Sequence, residues 1–200
     1  DKTGDVLRTL FLPKEEINMK AAKLIDIGKI VVEQVEKPVL TSDKQVLVKV
    51  KAVGLCGTDL HVFKEGRSDV VLPRIMGHEL SGVIEAVGVD VTNVRIGDHV
   101  ILDPVISCGT CKICLKGHGN VCPDVKCFGV QCDGGFQEYI AVDSSKVFAY
   151  NKDVPFEIAA LGEPFSIASN ILYRTNAKKG EKILIIGAGT IGLGIVQAAK

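Results

Sequence analysis

The chain has 200 residues, 46% of them hydrophobic, and a mean hydropathy of +0.26. That suffices for a buried core and excludes wholesale disorder. Twenty-four basic residues balance twenty-four acidic ones, which argues against a chain whose main task is to neutralise nucleic-acid phosphates or to lie on an anionic membrane.

Residues 1–18 open on Asp1 and show neither alternation nor a helical stripe, and the charged residues among them leave no apolar secretion signal. They are expected to form a leader or flexible arm ahead of Met19. From there Met19–Ile27 and Lys29–Val35 read as two strands about Gly28. Further strands follow at Gln45–Val53, Leu80–Val87, Asp98–Leu102, Gly135–Val142 and Lys146–Tyr150. Such a run of short strands predicts a β-rich barrel or sandwich. Beyond Tyr150 the pattern turns helical, at Pro155–Leu161 and Glu163–Thr175, with Pro164 in the favourable first turn of the second helix. A turn at Lys178–Lys182 leads to an apolar strand, Ile183–Ile186, and then through a glycine-rich turn into a helix running to Lys200. The predicted fold is mixed α and β: a β-rich domain over 19–175, then the first strand and helix of an α/β domain over 176–200. One strand and one helix cannot bury their own faces, so the second domain is expected to be incomplete.

Seven cysteines is an odd number for a disulfide framework, and four of them, Cys108, Cys111, Cys114 and Cys122, fall in one C-x2-C-x2-C-x7-C run. Thiols two residues apart make strained disulfides, whereas four thiolates on a tight loop can wrap one tetrahedral ion. Zinc suits such a closed, structural site. An iron–sulfur cluster is the rival, because Cys122-Pro123 echoes a ferredoxin ending, but the ferredoxin run has three residues before its last cysteine where this chain has seven. Unliganded thiols are the third option. Without a secretion signal, a reducing compartment, the cytoplasm, is expected.

A second constellation is dispersed: Cys56 in Gly-Leu-Cys-Gly-Thr-Asp-Leu-His61, His78-Glu79 after Gly77, and Glu163-Pro164 after Gly162. One thiolate, one imidazole and one carboxylate give the three protein ligands of a catalytic zinc, whose fourth position stays open. Each alone has a plainer explanation, Cys56 as a small buried apolar residue and Glu163 as a complement to its own helix dipole. At the other end of the chain, Ile183–Ala199 approaches membrane-span length but is broken by four glycines. Gly187-Ala-Gly189-Thr190-Ile191-Gly192, placed after an apolar strand and opening a helix, reads instead as a dinucleotide fingerprint.

Taken together and in this order, these motifs and Asp133-Gly-Gly-Phe-Gln-Glu-Tyr139 resemble the zinc-containing medium-chain dehydrogenases and reductases, the family of alcohol, sorbitol and threonine dehydrogenases. The likeness runs from Met19 to Lys200. It implies a GroES-like, distorted β-barrel catalytic domain over 19–175, with the four-cysteine structural zinc lobe at 108–122, followed by the start of a Rossmann domain for NAD or NADP. It also implies catalytic zinc ligation by Cys56, His78 and Glu163. Glu79 corresponds to a carboxylate that enters or leaves the metal's coordination, Asp59 to an acid that orients the zinc-bound histidine, and Thr58 and His61 to a proton relay.

Glu163-Pro164 and the phrase Asp103-Pro-Val-Ile-Ser-Cys108 resemble the polyol, threonine and sugar-acid branch, so a secondary alcohol of that kind is the expected substrate. Where relatives distinguish NAD from NADP, about 20 residues past the glycines, this sequence has ended. His99, His118, Cys127 and Cys132 are expected to take no part. No nucleic acid or membrane is expected as a partner; a small-molecule alcohol and a homo-oligomer, dimer or tetramer, are. The alternatives are an inactive fragment of such an enzyme and a zinc-stabilised binding module. The module needs one zinc per chain and the dehydrogenase two.

Overall fold

The computed structural model describes residues 18–200. The leader expected over 1–18 lies outside them save for Asn18, which begins the first strand. A hairpin, β1 (Asn18–Asp26), which buries Met19, Ala21 and Leu24, and the more exposed β2 (Lys29–Glu36), turns at Gly28, whose φ of 74° is open to glycine at little cost. A short β4 (Arg74–Ile75) joins the other edge of β1 to complete a sheet in the order β2-β1-β4.

The larger sheet has the order β10-β6-β5-β3-β9 and is antiparallel throughout. Its members are β3 (Gln45–Gly54), β5 (Glu79–Val87), β6 (His99–Leu102), β9 (Tyr139–Asp143) and β10 (Val147–Ala149). Val46, Val48, Ile84, Val100, Ile140 and Val142 point into one apolar core from these strands. β3 and β5 are each paired on both sides, and each buries consecutive residues, 46–48 in β3 and 79–82 in β5.

Between β3 and β4 lies α1 (Gly57–Glu65), a helix absent from the sequence expectation. It buries little beyond Asp59 and Val62, so it has no apolar stripe to announce it. Its start is marked instead by the Asp59 carboxylate returning to the Cys56 amide at 2.9 Å, half of a capping box. Val62 packs with Leu24 and Met76, tying α1 to the smaller sheet.

The lobe beyond β6 is a two-stranded ladder, β7 (Val105–Ile106) with β8 (Lys126–Cys127), enclosing the short helix α2 (Lys112–Leu115) and a single 3-10 turn at Gly119–Val121. Neither helical piece buries a side chain. After the sheets come α3 (Phe156–Ala159), α4 (Gly162–Thr175) and α5 (Thr190–Ala198). Asn176, left-handed at φ 53°, ends α4. The expected strand Ile183–Ile186 is not formed. A strand is defined by ladder bonds to a neighbour, and this segment has none among the described residues; Leu184 and Ile186 are 85% and 91% exposed. No described helix is long and apolar enough to cross a membrane.

Candidate functional site

β3 and β5 pair so that Gly54 stands opposite Glu79. That register delivers Cys56, just past the end of β3, to His78 and Glu79 at the start of β5. The sulfur, an imidazole nitrogen and a carboxylate oxygen of these three residues all lie within 4.8 Å of one another. His78 and Glu79 are buried and Cys56 is half-buried.

Asp59, 3% exposed, is the hub behind them. One of its carboxylate oxygens accepts the Cys56 amide at 2.9 Å, and the other accepts the Gly77 amide at 3.2 Å. His78 Nδ1 lies 4.0 Å from Asp59, too far for a hydrogen bond, and is left as a buried nitrogen without a partner. The Cys56 sulfur beside His78 raises the imidazole pKa; burial opposes this and the Asp59 charge adds to it.

Glu163, in the first turn of α4, stands outside the 4.8 Å group. Burial raises its carboxyl pKa, the His78 charge lowers it, and the charges of Glu79 and Asp103 raise it further, so its surroundings are those of the same cluster. Thr58 and His61 lie on α1; His61 is half-exposed, with Nδ1 3.5 Å from Glu65 one turn on.

In the lobe the sulfur separations are 3.4 Å for Cys111–Cys114, 3.5 Å for Cys108–Cys122, 3.8 Å for Cys108–Cys114 and 4.0 Å for Cys111–Cys122. Four sulfurs each about 2.3 Å from one zinc would stand about 3.8 Å apart at tetrahedral angles, so the thiols fit one ion and are too far apart for disulfides. All seven cysteines are free. The amides of Thr110 and Cys111, aimed at the Cys108 sulfur, lower its thiol to about 6, while lost hydration and the neighbouring Cys111 thiol raise Cys114 to about 11.

The four residues expected to take no part are placed as follows. His99 lies against the Phe156 ring, with centroids 4.5 Å apart, and His118 is exposed ahead of the 3-10 turn. Burial pushes Cys127 up to about 12 and raises Cys132 as well, keeping both protonated.

At the glycine turn Gly187 takes φ 109°, Gly189 caps α5 with open space where a side chain would be, and a Cβ on Gly192 would strike the Gly187 carbonyl. Gly187 and Gly192 thus need the absence of a side chain for conformation and for space respectively. Sequence reasoning missed Gly54, whose place opposite Glu79 depends on strand register.

Residues 42–152 match the alcohol dehydrogenase GroES-like domain family. The chain belongs to the zinc-containing medium-chain dehydrogenases and reductases. Among its relatives is the sorbitol dehydrogenase of Bacillus subtilis (strain 168), 41% identical over 187 residues that make up 92% of this chain and 53% of the relative. Galactitol-1-phosphate dehydrogenase from Escherichia coli superposes with a TM-score of 0.86 at 36% identity, over 90% of this chain and 52% of that one. A structure from Escherichia coli CFT073, described as a short chain alcohol dehydrogenase (rspB) complexed with NADH, gives 0.83 at 38% identity, over 90% and 52%. The chain thus spans about half the length of the relatives it matches.

Proposed function

We propose that the protein is a zinc-dependent, NAD(P)-linked oxidoreductase that moves a hydride between a secondary alcohol, of polyol or sugar-acid type, and nicotinamide. The observation that carries this reading is the convergence of Cys56, His78 and Glu79 within 4.8 Å at the end of the barrel. Cys56, His78 and Glu163 are assigned to hold the catalytic zinc, with Glu79 as the exchangeable carboxylate. The mixed sulfur, nitrogen and oxygen donors of this group suit that ion.

When bound, zinc lowers the pKa of a coordinated hydroxyl, as it lowers that of water from about 15.7 to about 7, and the nicotinamide accepts the hydride. Asp59 fixes the backbone ahead of His78 and the amide of Cys56. Thr58 would pass the substrate's proton to the ribose of a bound cofactor, and His61, half-exposed beside Glu65, would release it to solvent. Gly187, Gly189, Thr190, Ile191 and Gly192 form the pyrophosphate turn of the dinucleotide domain opened by 176–200, and hydride transfer requires that whole domain. The four-cysteine lobe holds a second, structural zinc within the catalytic domain over 19–175. A small-molecule alcohol, a cytoplasmic location and a homo-oligomer complete the proposal.

Metal analysis tests it first: two zinc ions per chain are expected. A chelator should empty the Cys56 site before the lobe, because only the former keeps an open position. Iron and a brown chromophore in the lobe, or a single zinc per chain, would overturn the reading.

A further inference from the structure

Gly54 ends β3 directly across from Glu79 and two residues before Cys56. Its backbone does not require glycine, since it is not among the residues with positive φ. Space does. A Cβ built on Gly54 would stand 3.0 Å from the Glu79 Cβ and 3.3 Å from its Cδ, and would collide with Oε2. Gly57, on the other side of Cys56, has nothing within 4 Å of the same construction. A glycine inside a strand weakens it and often marks a close approach; here what approaches is a carboxylate, 6% exposed, whose oxygen lies within 4.8 Å of the Cys56 sulfur and a His78 nitrogen.

We infer that Gly54 is a positioning residue: its missing side chain is the room in which the Glu79 carboxylate stands beside Cys56 and His78. This rests on the reading of those residues as a metal site. The atom in closest conflict, Oε2, is the far end of a flexible side chain, whereas the Glu79 Cβ is fixed to its strand; a methyl group at position 54 therefore turns the carboxylate away and shifts the paired strands by a few tenths of an ångström without separating them. Gly54→Ala therefore acts as a partial deletion of Glu79 at a distance.

The test measures zinc affinity at the Cys56 site by chelator competition in the intact protein, with the four-cysteine lobe as internal reference. The variants are Gly54→Ala, Glu79→Ala, the double variant, and Gly57→Ala as the steric control. Gly54→Ala should weaken this site about tenfold, within the range found when a ligand's supporting contact is removed. The double variant should bind no more than about twofold more weakly than Glu79→Ala alone, because both changes act through one group. Gly57→Ala should bind as the parent does, and the lobe should keep its zinc throughout. Unchanged affinity in Gly54→Ala, additive losses in the double variant, loss of zinc from both sites together, or failure of either Gly54 variant to fold would overturn the inference, the last by assigning the glycine to packing. If the parent itself takes up no metal at Cys56 and His78, the proposed function fails and takes this inference with it.

Discussion

Each oxygen of the Asp59 carboxylate accepts a backbone amide, one from Cys56 and one from Gly77. An amide side chain can match only one of them, because its NH2 would face the other N–H. Asp59→Asn should therefore lower stability by about 1–3 kcal/mol and weaken zinc at the Cys56 site about 10- to 100-fold, with the lobe unaffected; thermal unfolding and chelator competition measure the two effects. His61 makes a different prediction, since its side chain is half-exposed and touches none of the clustered donors. His61→Ala should leave zinc content unchanged and slow alcohol oxidation most at low pH, where the proton is hardest to release. A deficit independent of pH would remove His61 from the relay. At this scale the four lobe cysteines stand out because metal chemistry restricts residue type and spacing together, whereas Cys56 and His78, far apart in the chain, stand out only through the family resemblance. Gly54 was not legible, because its task is set by a residue 25 positions away on a paired strand.

Elements that bury a face were legible and those held by local chemistry were not. β3, β5, β6 and β10 emerge from apolar runs within about a residue of their limits. β4, β7 and β8, two residues each, are too short to show a period, and α1 is organised by Asp59 and not by an apolar stripe. The lobe is the extreme case, for α2 and its 3-10 turn bury no side chain. Its order must come from the metal, so stripping the zinc should abolish hydrogen-exchange protection across 108–126 while the five-stranded sheet keeps its own. Zinc uptake requires thiolates, and Cys108, lowered to about 6, ionises well before Cys114, raised to about 11. Lobe affinity should consequently fall as pH is lowered, and loading at pH 7 should release fewer than four protons per site, as titration in buffers of different ionisation enthalpy would show.

Elsewhere Asp143 caps the 3-10 turn at Ser144–Lys146, and the Ser145 hydroxyl and amide hold its carboxyl below the usual range. A depressed folded pKa adds stability above the unfolded value and loses it as pH falls through the folded one. Asp143→Ala should cost about 1 kcal/mol at neutral pH, and denaturant unfolding should show that difference shrinking in acid.

At the scale of the molecule, the β3–β5 pairing brings residues 56, 78 and 79 to one point, with Glu163 entering the same electrostatic environment from α4. The family and its mixed α and β fold were legible because the motifs occur in a fixed order along the chain. The pairing of Ile183–Ile186 was not, since a strand's partner is not written in the strand. The donor chemistry carries the substrate prediction. A carboxylate is a harder ligand than a thiolate, so zinc held by one sulfur, one nitrogen and one oxygen stays more electrophilic than zinc held by two sulfurs. It also exchanges ligands more readily, with the Glu79 carboxylate already close to Cys56 and His78. Such a site favours a substrate with two neighbouring oxygens, because the second hydroxyl or carboxylate can bind alongside the first. A simple primary alcohol gains nothing from that arrangement. Vicinal diols or 2-hydroxy acids should accordingly be preferred over ethanol by at least about tenfold in kcat/KM, equivalent to about 1.4 kcal/mol in the transition state. A panel of polyols, sugar acids and short alcohols, run on the protein with its whole dinucleotide domain and with NAD and NADP in turn, measures this. Faster turnover of ethanol or butanol than of every polyol and sugar acid would refute the substrate class while leaving the family intact.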